Sequence, residues 1–174
     1  MSYRDSGVYP ESGSTGSVIG FPNPVNEKAA RVVAGFVATI AIVALATGWY
    51  FLLPVLAVGF WLRVATGPSL SPLGQLATRV IAPRLGPPRE VPGPPKRFAQ
   101  TIGAVLTTLG SVLAFIFGLG IAAPIVLAML ATFAVLESVF GICVGCHMFN
   151  LLMRLGLIPA EVCEACNDLS LRRA

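Results

Sequence analysis

The fold is decided by the run VVAGFVATIAIVALATGWYFLLPVLAVGFWL, residues Val32–Leu62, which contains no Asp, Glu, Lys or Arg. A second run, Phe98–Met153, contains one such residue, Glu137. A transmembrane helix needs about 20 predominantly apolar residues, so each run is long enough for two helices. The sequence therefore predicts an all-α integral membrane protein, with the lipid bilayer as its first partner.

The overall composition supports the same class. The chain has 174 residues, of which 55% are hydrophobic and 11% are charged, and its mean hydropathy is +0.80. In soluble domains roughly a quarter of all residues are charged, so this chain has too few charged residues to cover the surface of a soluble globule. No feature of the sequence indicates a nucleic-acid partner.

Turn-forming residues divide the two runs into four spans. Thr47-Gly48 breaks the first run and Gly118-Leu119-Gly120 breaks the second, with Pro124 in the first turn of the helix that follows. We therefore expect a four-helix transmembrane bundle over residues 21–142, with spans at about 29–47, 49–66, 98–118 and 121–141.

The basic residues indicate how the bundle is oriented. The 12 Lys and Arg residues fall before span one or at its start, between spans two and three or at their ends, and after span four. None falls in the other two connections. Cytoplasmic loops are enriched in Lys and Arg. We therefore predict a multi-pass protein of the bacterial plasma membrane with both termini in the cytoplasm.

Three further segments have distinct patterns. Residues 1–20 are polar and rich in Gly and Ser, which predicts a disordered cytoplasmic tail. Asn26 is expected to cap the first span. Ser71-Pro72 begins a pattern with apolar residues on one stripe, which predicts an amphipathic helix at about 71–83, in the headgroup plane or across the cytoplasmic ends of the bundle.

Span three carries small residues at successive four-residue steps. Such a series lets another helix approach closely. It predicts packing within the bundle, in a homodimer or in a larger membrane assembly. The residues are Ala99, Gly103, Thr107 and Ser111.

All four cysteines lie in the segment 143–174, as CVGC and CEAC in the pattern C-x2-C-x16-C-x2-C. This spacing is typical of a four-thiolate zinc site. Residues i and i+3 of a helix share a face, so a cytoplasmic helical hairpin turning through residues 154–159 would bring the two pairs together. The predicted ligands are Cys143, Cys146, Cys163 and Cys166, with the site acting as a structural or docking module.

Other chemistries fit the same cysteines. The two CxxC pairs are also candidate redox residues of a thiol-disulfide or sulfur relay. An iron or iron-sulfur site uses similar ligands, and thiols without a special role are the fourth reading. CVGCH matches the haem-attachment signature, but we expect no haem because the motif is predicted to face the cytoplasm.

Two other side chains could tune the cysteine site. His147 lies one turn after Cys143, as a further ligand, a proton partner of a thiolate or a polar residue without a function. Glu137 precedes Cys143 by six residues, and it could tune the site or bind a proton. Alternatively it accepts hydrogen bonds from an arginine or a helix N-terminus.

Residues 20–166 resemble an actinobacterial family of four-span integral membrane proteins with a CxGC motif, described as a domain of unknown function. The resemblance lies in FPNPVNEKAARVVAGF, GPSLSPLGQLATRVIAPRLG, PPKRFAQTIG and LESVFGICVGCHMFNLLMRLGLIP. It implies the four-span fold, and it weakly favours a cytosolic thioredoxin-like or sulfurtransferase partner. His147 lies outside the family's CxGC pattern.

Overall fold

The computed structural model describes residues 23–159, and this part of the chain is mainly helical. Its helices are α1 (Glu27–Thr47), α2 (Leu52–Thr66), α3 (Pro72–Leu76), α4 (Gly93–Phe115), α5 (Ala122–Val135) and α6 (Val144–Arg154). Two short strands, β1 (Val25–Asn26) and β2 (Glu90–Val91), pair in antiparallel register. The predicted tail, residues 1–20, and the second cysteine pair lie outside the described residues.

Three helical stretches are long and apolar enough to cross a membrane: Glu27–Thr47, Gly93–Phe115 and Ala122–Phe140. The fourth predicted span corresponds to α2, a shorter apolar helix of 15 residues. At 1.5 Å per residue α2 is about 22 Å long. The structure thus shows three candidate membrane-spanning helices, and four spans remain a prediction.

The two helical hairpins turn where the sequence predicts. Asn26 caps α1 by accepting the backbone N–H of Lys28 at 3.0 Å, and Gly48 ends the helix with a φ of 73°. The second turn contains Gly118, with a φ of 71°. Span three is predicted at about 98–118, and the helix in this region, α4, begins at Gly93 and ends at Phe115. Pro94 and Pro95 occupy its first turn, where a missing N–H costs no intrahelical hydrogen bond.

Small residues allow the close packing of the bundle. A Cβ atom added to Gly103 would lie 2.6 Å from the Phe60 ring, where α2 packs against α4. A Cβ atom added to Gly110 would lie 2.8 Å from Val126, where α4 packs against α5. The fully buried Ala41 and Ala44 of α1 belong to the same core as Leu127 of α5. Gly103 of the small-residue series therefore lies in a contact within this chain.

The predicted amphipathic helix at about 71–83 changes its winding along its length. The Ser71 side chain caps it by accepting the Gly74 N–H at 3.3 Å. After α3 the chain forms a π turn at Ala77–Ile81 and a 3₁₀ turn at Ala82–Leu85. Ala77 and Ala82 are buried, and Leu76 and Val80 are exposed, so this segment has one packed side and one open apolar side.

Candidate functional site: the CVGC pair and a buried ion pair

The chain changes its helical winding directly after α5, next to the CVGC motif. Residues Leu136–Phe140 form a π turn, and Gly141, with a φ of 71°, then ends the helix. Arg31 of α1 holds this end by donating hydrogen bonds to the carbonyl oxygens of Ser138 and Val139, at 3.2 and 2.8 Å. π turns within α-helices are frequent at functional sites. Here the π turn carries Glu137.

Glu137 forms a buried ion pair with Lys96 of α4. The Lys96 Nζ atom donates to Glu137 Oε1 at 2.6 Å, and the two side chains are 10% and 16% exposed. The partner of Glu137 is thus a lysine, where the sequence indicated an arginine or a helix N-terminus. Removing one partner of such a pair would leave the other as an uncompensated buried charge.

The CVGC motif begins α6. Cys143 is the N-cap residue, with extended backbone angles, and its carbonyl oxygen accepts the N–H of His147 at 3.1 Å. Cys146 lies in the first turn of the helix. Cys143 is buried and Cys146 is half-buried, and both are free thiols.

A close contact with α4 fixes this helix start. A Cβ atom added to Gly145 would lie 2.5 Å from Ala99 Cβ and 2.7 Å from Ala99 Cα. One turn later the Phe149 ring packs edge-on against Phe98, with 5.5 Å between centroids. The glycine of the CxGC pattern therefore has a physical role, since only glycine lets the two cysteines sit this close to α4.

The two thiols differ in proton affinity because of their surroundings. The pKa of Cys143 is lowered, chiefly because the Cys146 thiol donates a hydrogen bond to it, and the charge of Lys96 acts in the same direction. Burial and the carboxylate of Glu137 oppose this effect. The same hydrogen bond, with burial, raises the pKa of Cys146. These surroundings therefore favour ionisation of Cys143 over ionisation of Cys146.

The other predicted site residues are His147, Cys163 and Cys166. His147 is exposed. Cys163 and Cys166 lie outside the described residues. Within residues 23–159, no group of three or more His, Cys, Asp or Glu side chains could hold a metal ion. The four-cysteine zinc site therefore stays a prediction.

A second buried cation, Arg63 of α2, lies in the neighbouring helix pair. Its Nε atom donates to Gln100 Oε1 at 3.0 Å, and its guanidinium lies 4.5 Å from the centroid of the Phe60 ring. Its Nη2 atom is buried without a hydrogen-bond partner among the described residues. Arg63 and Lys96 were among the basic residues used to predict the orientation of the bundle. In the structure both side chains are buried.

The fold and the site define a class: a small helical bundle with three helices able to cross a membrane, and a CxxC pair at a helix start beside a buried ion pair. Within that class, the family described as Domain of unknown function (DUF4395) matches residues 25–154, which is most of the chain. The chain belongs to this family. No curated protein and no solved structure matched it.

Proposed function

We propose that this chain is an integral membrane protein whose CVGC pair carries out thiol-disulfide exchange. The observation that carries the proposal is the placement of Cys143 at the N-cap of α6, with Cys146 in the next turn and Lys96 beside them. A helix N-terminus and a neighbouring cation both favour a thiolate. Cys143 is then the attacking residue, and Cys146, which keeps its proton, is the resolving residue.

The exchange balances with a disulfide-containing protein as co-reactant. The Cys143 thiolate attacks one sulfur of the partner disulfide, that bond breaks, and the second partner sulfur leaves as a thiolate that takes a proton. Cys146 then loses its proton and attacks the Cys143 sulfur, which releases the first partner sulfur as a thiol. The partner gains two electrons and two protons, and Cys143 and Cys146 become a disulfide.

A cytosolic thioredoxin-like or sulfurtransferase protein is the proposed partner. The second pair, Cys163 and Cys166, then reduces the Cys143–Cys146 disulfide and becomes a disulfide in its place. The placement of both pairs on the cytoplasmic face rests on the distribution of basic residues. A four-span topology with both termini in the cytoplasm would give a cytosolic partner access to both CxxC pairs.

The test is exchange with a purified thioredoxin-like protein. The full-length chain in lipid nanodiscs, reduced beforehand, is mixed with the oxidised partner, and partner thiols are counted over time. We expect Cys143→Ser to abolish exchange and Cys146→Ser to stop at a mixed disulfide. Exchange that is unaffected by Cys143→Ser would refute the assignment.

The second candidate function is the four-cysteine zinc site, acting as a structural or docking module. The C-x2-C-x16-C-x2-C spacing favours it. Elemental analysis of the purified chain together with thiol counting separates the candidates. One stoichiometric zinc, with four thiols protected from mild oxidation, would support this site and exclude the relay.

A further inference from the structure

Helix α6 has three different sides. Gly145 and Phe149 pack against α4. A second stripe is apolar and open, with Met148, Leu151 and Leu155 exposed by 47%, 56% and 64%. The third stripe is polar: His147, Asn150 and Arg154 follow one another at helical spacing. One helix thus presents a packed, an apolar and a polar surface.

The contacts of α6 show that it crosses α4. Gly145 meets Ala99 and Phe149 meets Phe98. From Gly145 to Phe149 the axis of α6 advances about 6 Å, whereas the contact on α4 moves by one residue, about 1.5 Å. A helix parallel to α4 would move its contact by an equal length. Since α4 is a candidate membrane-spanning helix, these two contacts favour an α6 that lies closer to the membrane plane than to the membrane normal.

The open apolar stripe continues the apolar surface at the end of α5. The last two residues of the candidate span Ala122–Phe140, Val139 and Phe140, are exposed by 62% and 66%. Ile142, in the connection to α6, is exposed by 43%. The α4 residues that α6 crosses, Phe98 and Ala99, lie in the second turn of α4, about 8 Å from its start at Gly93. Arg97, immediately before them, is exposed, so this part of α4 lies where its apolar stretch meets polar surroundings. An amphipathic helix rests at such a boundary between headgroups and acyl chains.

From this geometry we propose that α6 is an interfacial helix whose Met148, Leu151 and Leu155 stripe is buried in the acyl boundary of the bilayer, with His147, Asn150 and Arg154 toward the headgroups and water. The occupant of the stripe is lipid. The CVGC pair, at the start of α6, is consequently held at the membrane surface, and anything that reacts with it must approach along that surface. This inference does not depend on the chemistry of the cysteines.

Adjacent residues on two stripes provide the test. The full-length chain, with its native cysteines changed to serine, receives a spin label at Leu151→Cys or at Asn150→Cys, and is placed in phosphatidylglycerol-phosphatidylcholine vesicles. At Leu151 we expect collisions with oxygen to exceed those with a water-soluble nickel chelate several-fold. At Asn150 the order is reversed. Nickel-dominated collisions at both positions would overturn the proposal.

A second measurement keeps the native cysteines. A photoreactive diazirine amino acid replaces Leu151 or Asn150, and the chain is illuminated in its native membrane. Cross-links from Leu151 to phospholipid, fewer by several-fold from Asn150, support an interfacial α6. Cross-links from Leu151 to a second copy of the chain or to another protein would show that protein covers the stripe, and would refute it.

Discussion

The pKa values of Cys143 and Cys146 shift in opposite directions, chiefly because of the interaction between their two side chains. Lys96 adds a positive charge that favours the Cys143 thiolate, while Glu137 partly opposes it. These groups face the pair from three elements: α6 itself, α4 and the π turn after α5. The proposed reactivity therefore depends on charges that come from distant parts of the chain.

The first prediction concerns the pH dependence of Cys143. A lowered pKa means that the thiolate, the reactive form, is present at a lower pH than for a free cysteine. The rate of alkylation by iodoacetamide, followed by peptide mass spectrometry, should rise with a midpoint below that of free cysteine. Lys96→Met should move this midpoint upward, because it removes the cation and leaves Glu137 in place.

Arg97→Met is the matched control for this experiment, since Arg97 is the next residue, carries the same charge and is exposed. It should leave the midpoint unchanged. Equal shifts from both variants would mean that Lys96 has no specific effect on the thiol.

The second prediction concerns Gly145. Gly145→Ala would place a methyl group 2.5 Å from Ala99 Cβ, so α6 must move away from α4. Overpacking of this kind costs about 1–3 kcal/mol. Thermal unfolding in detergent should show this loss, and Cys143 should react with its alkylation midpoint moved toward that of free cysteine.

Gly120→Ala is the control, because nothing lies within 4 Å of its added Cβ atom and its φ is not in the left-handed region. We expect a change of about 0.5 kcal/mol or less. If Gly145→Ala and Gly120→Ala changed the unfolding stability by the same amount, the contact between Gly145 and Ala99 would not be what holds α6 against α4.

Sequence reasoning could identify the cysteines and Glu137 because cysteine spacing and a lone acid in an apolar run are visible along the chain. It missed Lys96 because a lysine just before an apolar run also fits a loop at the membrane surface. The two partners lie 41 residues apart, and only the packing of α4 against the end of α5 joins them. The lone acid did indicate a cationic partner, but the sequence did not show which basic residue supplies the charge.

At the scale of elements, the ion pair couples α4 to the π turn. Lys96→Met leaves Glu137 buried without its partner, and breaking a buried pair in this way costs about 3–5 kcal/mol. The double variant Lys96→Met with Glu137→Gln should be less destabilised than Lys96→Met alone, because no isolated charge remains. Thermal unfolding in nanodiscs measures both.

The exposed pair formed by Arg89 and Glu27 is the control. It joins the same types of charge at 3.0 Å, but the Arg89 side chain is 70% exposed. Arg89→Met should therefore cost about 1 kcal/mol or less. A double variant as unstable as Lys96→Met would show that Glu137 has another partner.

The helices were predictable to within a few residues where apolar runs end at glycine. The first turn of α4 could not be predicted, because Pro94 and Pro95 indicate an extended connector as readily as the start of a helix. The π turn was also hidden, since Leu136–Phe140 continues the pattern of α5 without a turn-forming residue. Arg31, whose hydrogen bonds hold that turn, is 107 residues from Ser138.

At the scale of the whole molecule, the four-span arrangement depends on α2. At about 22 Å this helix is shorter than the hydrocarbon core of about 30 Å. Local thinning of the bilayer and the aromatic residues near its ends would let it cross. In that arrangement the connections 48–51 and 116–121 share one face of the membrane, and the connection 67–92 lies on the other.

Cysteine accessibility in cells tests this arrangement. In a cysteine-free chain, Trp49→Cys and Gly120→Cys should react with a membrane-impermeant maleimide applied from outside. Ser69→Cys should react only after permeabilisation. Labelling of Gly120→Cys without Trp49→Cys would show that α2 does not cross.

The central claim is that Cys143 and Cys146 form a reversible redox pair, and a redox titration tests it most directly. The full-length chain in nanodiscs, with Cys163→Ser and Cys166→Ser, is equilibrated with dithiothreitol buffers of varied ratio, and free thiols are trapped and counted by mass spectrometry. We expect one reversible two-electron transition in which a Cys143–Cys146 disulfide forms. Two thiols that stay free across the whole range of buffers would contradict the claim.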